Sequence, residues 1–314
     1  FEGARLNYAE HAFIHANTER PAIISRSELR PTTETSWAEF ADLVGALAAE
    51  LRRLGVKPGD RVVSYMPNIV ETTVALFACA SVGAVWSSCA PDMGPGAVLD
   101  RFRQIEPKVL FVVDGYRYGG KDFDRTQNVR DIVAALPTLE RVIVVPYLGV
   151  ANALASIPKS MPWKEAIAKP APLAFEQVPF EHPLWVVYSS GTTGLPKGIV
   201  HGHGGVIIEH LKSMILQHDM KRGERFLWMS STGWIVWNML VSGLLAGCTV
   251  LLFDGNPGYP DASTLWRFAG ETGTHHFGCG AAFIFGTMKA GVEQGNIADL
   301  SALRSINVTG SPLT

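Results

Sequence analysis

Cysteine is scarce: four in 314 residues, at positions 79, 89, 248 and 279. No two stand at Cys-x-x-Cys spacing, and a chain of this length builds its core without disulfide staples. The pattern argues against a disulfide scaffold and predicts four buried thiols in a reducing cytoplasm. An excess of one charge is missing as well. Twenty-seven Lys and Arg against 29 Asp and Glu leave a net charge of −2, with no basic block. That balance argues against nucleic acid or an anionic membrane as a partner, while leaving room for a local anion site. The opening residues, FEGARLNYAE, contain neither an initiator Met nor an apolar leader. The closing residues, SINVTGSPLT, stop just after a strand-like run and a turn. The expectation is a piece of a longer chain.

What is present is apolar: 47% hydrophobic against 18% charged residues, enough for a sizeable core and about two domains. Phe226 to Phe253 carries no charge, and Trp234 to Phe253 approaches the ~20 residues of a bilayer span. Asn238, Ser242, Gly243, Gly247 and Thr249 interrupt it, and no Lys/Arg cluster flanks it. It divides into a helical half to Leu245, an Ala-Gly-Cys turn and a β-branched half from Thr249. A buried helix–turn–strand unit is the better reading.

Helical and strand periods alternate along the chain. Ser36 caps a helix over 37–54 with Gly55 as its stop, and strand 61–66 precedes a helix over 68–82. AVWSS, 109–113 and 141–145 read as further strands, separated by helices near 95–106 and 126–135. These short, continuously apolar runs fit strands buried on both faces. Seven prolines between Pro146 and Pro183 predict a long surface connection. A second alternation follows: strands 184–188, GIVHG, RFLWM, THHFG and 305–309, with helices over 205–217, 262–272 and 281–290. The expected fold is α/β, with layered, mostly parallel sheets and crossover helices. Residues 1–180 would form one subdomain, closed by the proline-rich connection, and 181–314 a second.

Tyr188-Ser-Ser-Gly-Thr-Thr-Gly-Leu-Pro-Lys-Gly198 is the most informative segment. Its glycines let successive N–H groups converge on an anion. Ser189, Ser190, Thr192 and Thr193 add hydroxyls, and Lys197 adds a point charge suited to phosphate. It is not a Walker A loop: Pro196 precedes Lys197, Gly198 follows it, and the next run reads as a strand. A plain Gly/Thr hairpin is the competing explanation.

YSSGTTGLPKG resembles the phosphate loop of the acyl-adenylate-forming enzymes, the group of acyl-CoA synthetases, peptide-synthetase adenylation domains and luciferases. GDRVVSYMPN, GAVWSSCAPDMGPGAVLDRFRQIEPK, TGWIVWNMLVSGLLAGCTVLLFDGNP and TGSPL extend the resemblance over essentially the whole chain, closest to the acetoacetyl-CoA synthetase branch. The resemblance implies a layered αβαβα N-terminal core without the small C-terminal domain. It implies an acid–thiol ligase: a carboxylate attacks the α-phosphate of Mg·ATP, and coenzyme A then displaces AMP. Ser189, Ser190, Gly191, Thr192, Thr193, Gly194 and Lys197 would hold ATP and the leaving pyrophosphate. Gly310, Ser311 and Pro312 would contact adenine and ribose. Ser311, where acetyl- and propionyl-CoA synthetases resemble one another in carrying Glu, favours the acetoacetyl branch over an acetyl or propionyl enzyme. Trp234 and Val236 would border the acyl pocket, and Arg117 and Lys121 the 3′-phosphate of coenzyme A. The adenylation lysine would lie outside this chain, so no catalytic residue is assigned and the chain alone is expected to be inactive.

Plainer explanations stand beside each assignment. Gly-Ser-Pro is an ordinary turn, Arg117 and Lys121 fit a solvated loop, and core packing accounts for Trp237 better than for Trp234. His201, His203, His210 and the His275-His276 pair lack ligand spacing and are expected to be exposed or hydrogen-bonded. A non-catalytic nucleotide- or coenzyme-binding module is the reading from another class.

Overall fold

A computed structural model describes residues 1–16, 19–189 and 194–312. Local signals set its elements. Ser36 opens helix Trp37–Arg53 with a reciprocal box: its Oγ accepts from the Glu39 amide at 3.1 Å, and the Glu39 carboxylate accepts from the Ser36 amide at 2.8 Å. Trp37, Phe40, Val44, Leu47 and Leu51 form its buried stripe. Helix Val70–Val82 is buried at every position from Thr72 onward, and Gly83 ends it in the left-handed region at φ 75°. Such a helix must be packed on all sides.

Two sheets supply that packing. The first runs, in spatial order, Ser160–Pro162, Arg141–Val145, Val109–Val113, Arg61–Tyr65, Val85–Cys89, Pro183–Ser189 and Lys197–Gly202. All its pairs are parallel except the last, which is antiparallel. The second runs Ser305–Thr309, His276–Gly280, Arg225–Trp228, Thr249–Asp254, Pro21–Ser27 and Thr33–Ser36, again parallel save for the final pair. Successive strand residues serve opposite layers. Val62 joins the middle core between the sheets and Val63 the outer core under helices Pro95–Phe102 and Thr126–Ala134. In the second sheet Val250 faces the middle, while Leu251 packs outward toward helix Thr264–Glu271. The αβαβα layering that the resemblance implies is therefore present. The uncharged stretch resolves into helix Ile235–Val241, a 3₁₀ turn Ser242–Ala246 and strand Thr249–Asp254. Among the described residues no helix is long and apolar enough to cross a membrane.

Two expectations need correction. The sheets do not divide at 180/181: Pro183–Ser189 and Lys197–Gly202 complete the first sheet, and Pro21–Ser27 and Thr33–Ser36 complete the second. Periodicity identifies a strand but not its partner, and a long connection lets the chain return to an edge it left earlier. The proline-rich connection is also not simply a surface loop. Ser160–Pro162 adds an edge strand, Ile157, Trp163 and Ala166 are buried, and Val178–Pro179 pairs with Arg5–Leu6. Its start is tied down by the buried Asp114 carboxylate, which accepts the amides of Tyr147, Leu148, Gly149 and Val150 at 2.7–2.8 Å. The four cysteines are buried free thiols, as their spacing led us to expect.

Candidate functional site

Parallel strands leave their carboxyl ends on one side, and open α/β sheets bind ligands beyond those ends. Here a cleft of about 370 Å³ lies there. Its walls follow directly from strand ends: Asn68 after Arg61–Tyr65, Asp92 after Val85–Cys89, Ser231 after Arg225–Trp228, and Asp254 closing Thr249–Asp254. A hairpin, Gly115–Tyr118 with Lys121–Asp124, leans over it and contributes Tyr116, Tyr118 and Phe123. Side chains stitch the two sheets across this region. Thr232 Oγ1 donates to the Met66 carbonyl at 2.8 Å, and Ser88 Oγ donates to the Thr232 carbonyl at 2.6 Å. Buried Trp237 donates its Nε1–H to Asn68 Oδ1 at 2.8 Å. The cleft is thus built on fixed walls.

The glycine–hydroxyl loop joins the last two strands of the first sheet, where Ser189 lies opposite Lys197. Its stem is a hairpin, and this explains why no helix follows the loop. Ser190, Gly191, Thr192 and Thr193 lie outside the described residues. Gly194 adopts φ 122°, a conformation that favours glycine, and Lys197 is exposed. Below the loop, Gln104 donates to the Pro196 carbonyl at 2.8 Å, and the Tyr188 hydroxyl donates to the Arg101 carbonyl at 2.8 Å. Gly310, Ser311 and Pro312 leave the carboxyl end of Ser305–Thr309 in the second sheet, exposed, with Gly310 at φ 94°. The glycine–hydroxyl loop and the Gly-Ser-Pro turn therefore both leave carboxyl ends, one from each sheet.

Trp234 is 62% exposed at the N-terminal boundary of helix Ile235–Val241, next to the Ser231–Thr232 wall. Val236 is half-buried against the middle core, and Trp237 is fully buried. Core packing accounts for Trp237 and leaves Trp234 available. Arg117 and Lys121 sit on the overhanging hairpin. Arg117 is paired with Asp122 at 2.6 Å, which holds the guanidinium above its ordinary pKa. Lys121 is exposed and has no carboxylate within ion-pairing distance among the described residues. The Gly119 and Gly120 amides of the turn donate to the Glu28 carboxylate at 2.8 and 2.7 Å.

Asp254 was not legible as a site residue. It accepts a hydrogen bond from the Tyr147 hydroxyl at 2.8 Å, and burial pushes its pKa up to about 7. Burial and the neighbouring Asp254 raise Tyr147 in turn. The one available signal was a carboxylate closing the apolar run TVLLFD. The histidines take other work. His201 Nδ1 accepts from Trp185 Nε1 at 3.0 Å, and His203 Nδ1 accepts from the Tyr8 amide at 3.1 Å. His275 Nδ1 accepts from the Arg225 amide at 3.2 Å, and His276 bridges Ser305 and Glu224 at 2.8 Å each.

Two mostly parallel sheets around a shared core, with a cleft beyond their strand ends and a glycine–hydroxyl–lysine loop at one of them, define an α/β core with a ligand site at its strand ends. The chain belongs to the AMP-binding enzyme family, which matches residues 10–314. Among its relatives, the acetoacetyl-coenzyme A synthetase of Rhizobium meliloti (strain 1021) is 42% identical over 319 residues, covering 100% of this chain and 48% of that protein. The acetoacetyl-CoA synthetase of Danio rerio is 39% identical over 322 residues, with the same coverage. The solved structure of acetoacetyl-CoA synthetase from Streptomyces lividans superimposes with a TM-score of 0.95 at 52% identity, again over 100% of this chain and 48% of that one. The chain spans about half the length of the relatives it matches.

Proposed function

We propose that this chain is the nucleotide-handling, N-terminal part of an ATP-dependent acid–thiol ligase that converts acetoacetate to acetoacetyl-CoA. The observation that carries this reading is the similarity to acetoacetyl-CoA synthetases over the whole of the chain, joined to the YSSGTTGLPKG loop. In the first step a carboxylate oxygen attacks the α-phosphorus of Mg·ATP and pyrophosphate leaves. In the second the sulfur of coenzyme A attacks the acyl carbon, its thiol proton is released, and AMP leaves. Such chemistry rests on positioning and charge stabilisation, which glycine amides, hydroxyls and one cation supply.

Ser189, Ser190, Gly191, Thr192, Thr193, Gly194 and Lys197 take the leaving pyrophosphate in this reading. Gly310, Ser311 and Pro312 take the adenine and ribose. Trp234 and Val236 border the acyl group, and Arg117 and Lys121 face the 3′-phosphate of coenzyme A. Four unpaired thiols favour the cytoplasm as the compartment.

The test is an ATP–pyrophosphate exchange assay on the full-length enzyme containing this segment, run over a panel of short carboxylic acids with the thioester detected directly. Acetoacetate should be preferred; a preference for acetate or propionate overturns the substrate assignment, and absence of exchange with every acid favours a binding module. Lys197→Ala should lower exchange by about 10²–10³, the usual cost of one donor to developing charge. An unaffected variant removes the loop from the mechanism.

A further inference from the structure

We infer that Glu28 is a positioning residue for the second substrate: its carboxylate sets the overhanging hairpin in place, and thereby sets how Arg117 and Lys121 meet the 3′-phosphate of coenzyme A. The inference rests on the hairpin assignment made above. Glu28 follows strand Pro21–Ser27 of the second sheet, while the hairpin extends from Val109–Val113 of the first. One carboxylate joins the two. Its Oε1 accepts the amides of Gly119 at 2.8 Å and Asn256 at 2.7 Å, and its Oε2 accepts that of Gly120 at 2.7 Å. These are charge-assisted bonds to three backbone groups, two from the hairpin turn and one from the loop after Thr249–Asp254.

The surroundings leave no slack. Gly119 and Gly120 adopt φ 61° and 75°, successive left-handed residues whose N–H groups converge as they do on an anion. A Cβ on Gly120 would lie 2.5 Å from the Tyr259 hydroxyl, and one on Gly255 would lie 2.7 Å from Glu28 Cγ. The turn therefore closes onto the Glu28–Asn256 side and fits only glycine there. A protein carboxylate fills the amide cradle, so a ligand phosphate meets side chains alone. Arg117 already shares its guanidinium with Asp122, which leaves Lys121 as the cation whose direction the turn decides. Glu28 also brings a negative charge near the hairpin. Screened repulsion at an exposed site is weaker than three charge-assisted hydrogen bonds, so positioning outweighs it.

Kinetics of the full-length enzyme with coenzyme A and with 3′-dephospho-coenzyme A test this. The wild type should favour coenzyme A in KM by about tenfold, the scale of one charge-assisted contact. Glu28→Ala should raise the KM for coenzyme A toward that for the dephospho form, leaving the KM values for ATP and the carboxylate unchanged. Glu28→Gln keeps one carbonyl oxygen and should fall between the two. Hydrogen exchange should quicken at 115–124 in both variants, with the unfolding midpoint showing that each remains folded. Equal weakening of both thiols, an unchanged preference, or tighter binding of coenzyme A by Glu28→Gln overturns the inference alone. A wild type indifferent to the 3′-phosphate overturns the hairpin assignment and the inference with it.

Discussion

Asp254 shows how one side chain can carry a pH dependence written by its neighbours. Burial lifts its pKa from 3.8 to about 7, so the native state keeps a proton that the unfolded chain has already released. Between those values the unfolded state binds fewer protons, and stability falls as pH rises, with the full cost present above about 7. Asp254→Asn should remove that slope. Urea unfolding near pH ~5 and ~8 would read it: the wild type loses stability between the two, and the variant should lose less. A variant with the same slope would place the titration elsewhere. The partners that make Asp254 and Glu28 interesting stand 107 and 91 residues away, at Tyr147 and Gly119. No local spacing reports such pairs. Core packing suited Trp237 better than Trp234 on the sequence alone, and 62% exposure against none repeats that division.

Among elements, those with strong local chemistry were legible. Ser36 with Glu39, Gly83 after an apolar helix, and the unbroken VLFVV strand each bear their own signal. The proline-rich connection was not, because what orders it is distant. Asp114 belongs to the end of Val109–Val113, yet its carboxylate takes four amides from 147–150. Asp114→Ala should therefore cost more than an average surface change, about 3 kcal/mol, since one buried and three partly buried amides lose their acceptor together. Chemical denaturation gives the figure, and a loss below about 1 kcal/mol would mean that water replaces the carboxylate at little cost. The composition of the loop between Ser189 and Lys197 suggested the anion site that the proposed function rests on, while its antiparallel stem was hidden by an apolar run that suits either strand direction.

For the molecule as a whole, the alternation of periods gave the fold class, and the interlocking of the two sheets lay beyond it. Each sheet takes strands from both sides of position 180, and one core of side chains fills the space between them. Unfolding should be a single transition by both fluorescence and circular dichroism. Residues 1–180 and 181–314, expressed apart, should each lack fixed tertiary structure, because each would expose sheet edges and half of the middle core. Well-dispersed amide spectra from either piece alone would contradict this.

The stem of the glycine–hydroxyl loop also has a parity. Ser189 faces Lys197 across a ladder that continues through Val187 and Ile199 to Trp185 and His201. Closing a loop one residue longer or shorter between the two arms changes the entropic cost little. A single residue gained or lost within Lys197–Gly202 is another matter, since side chains alternate faces along a strand. It would turn Lys197 to the opposite face of the sheet while leaving every residue of the motif intact.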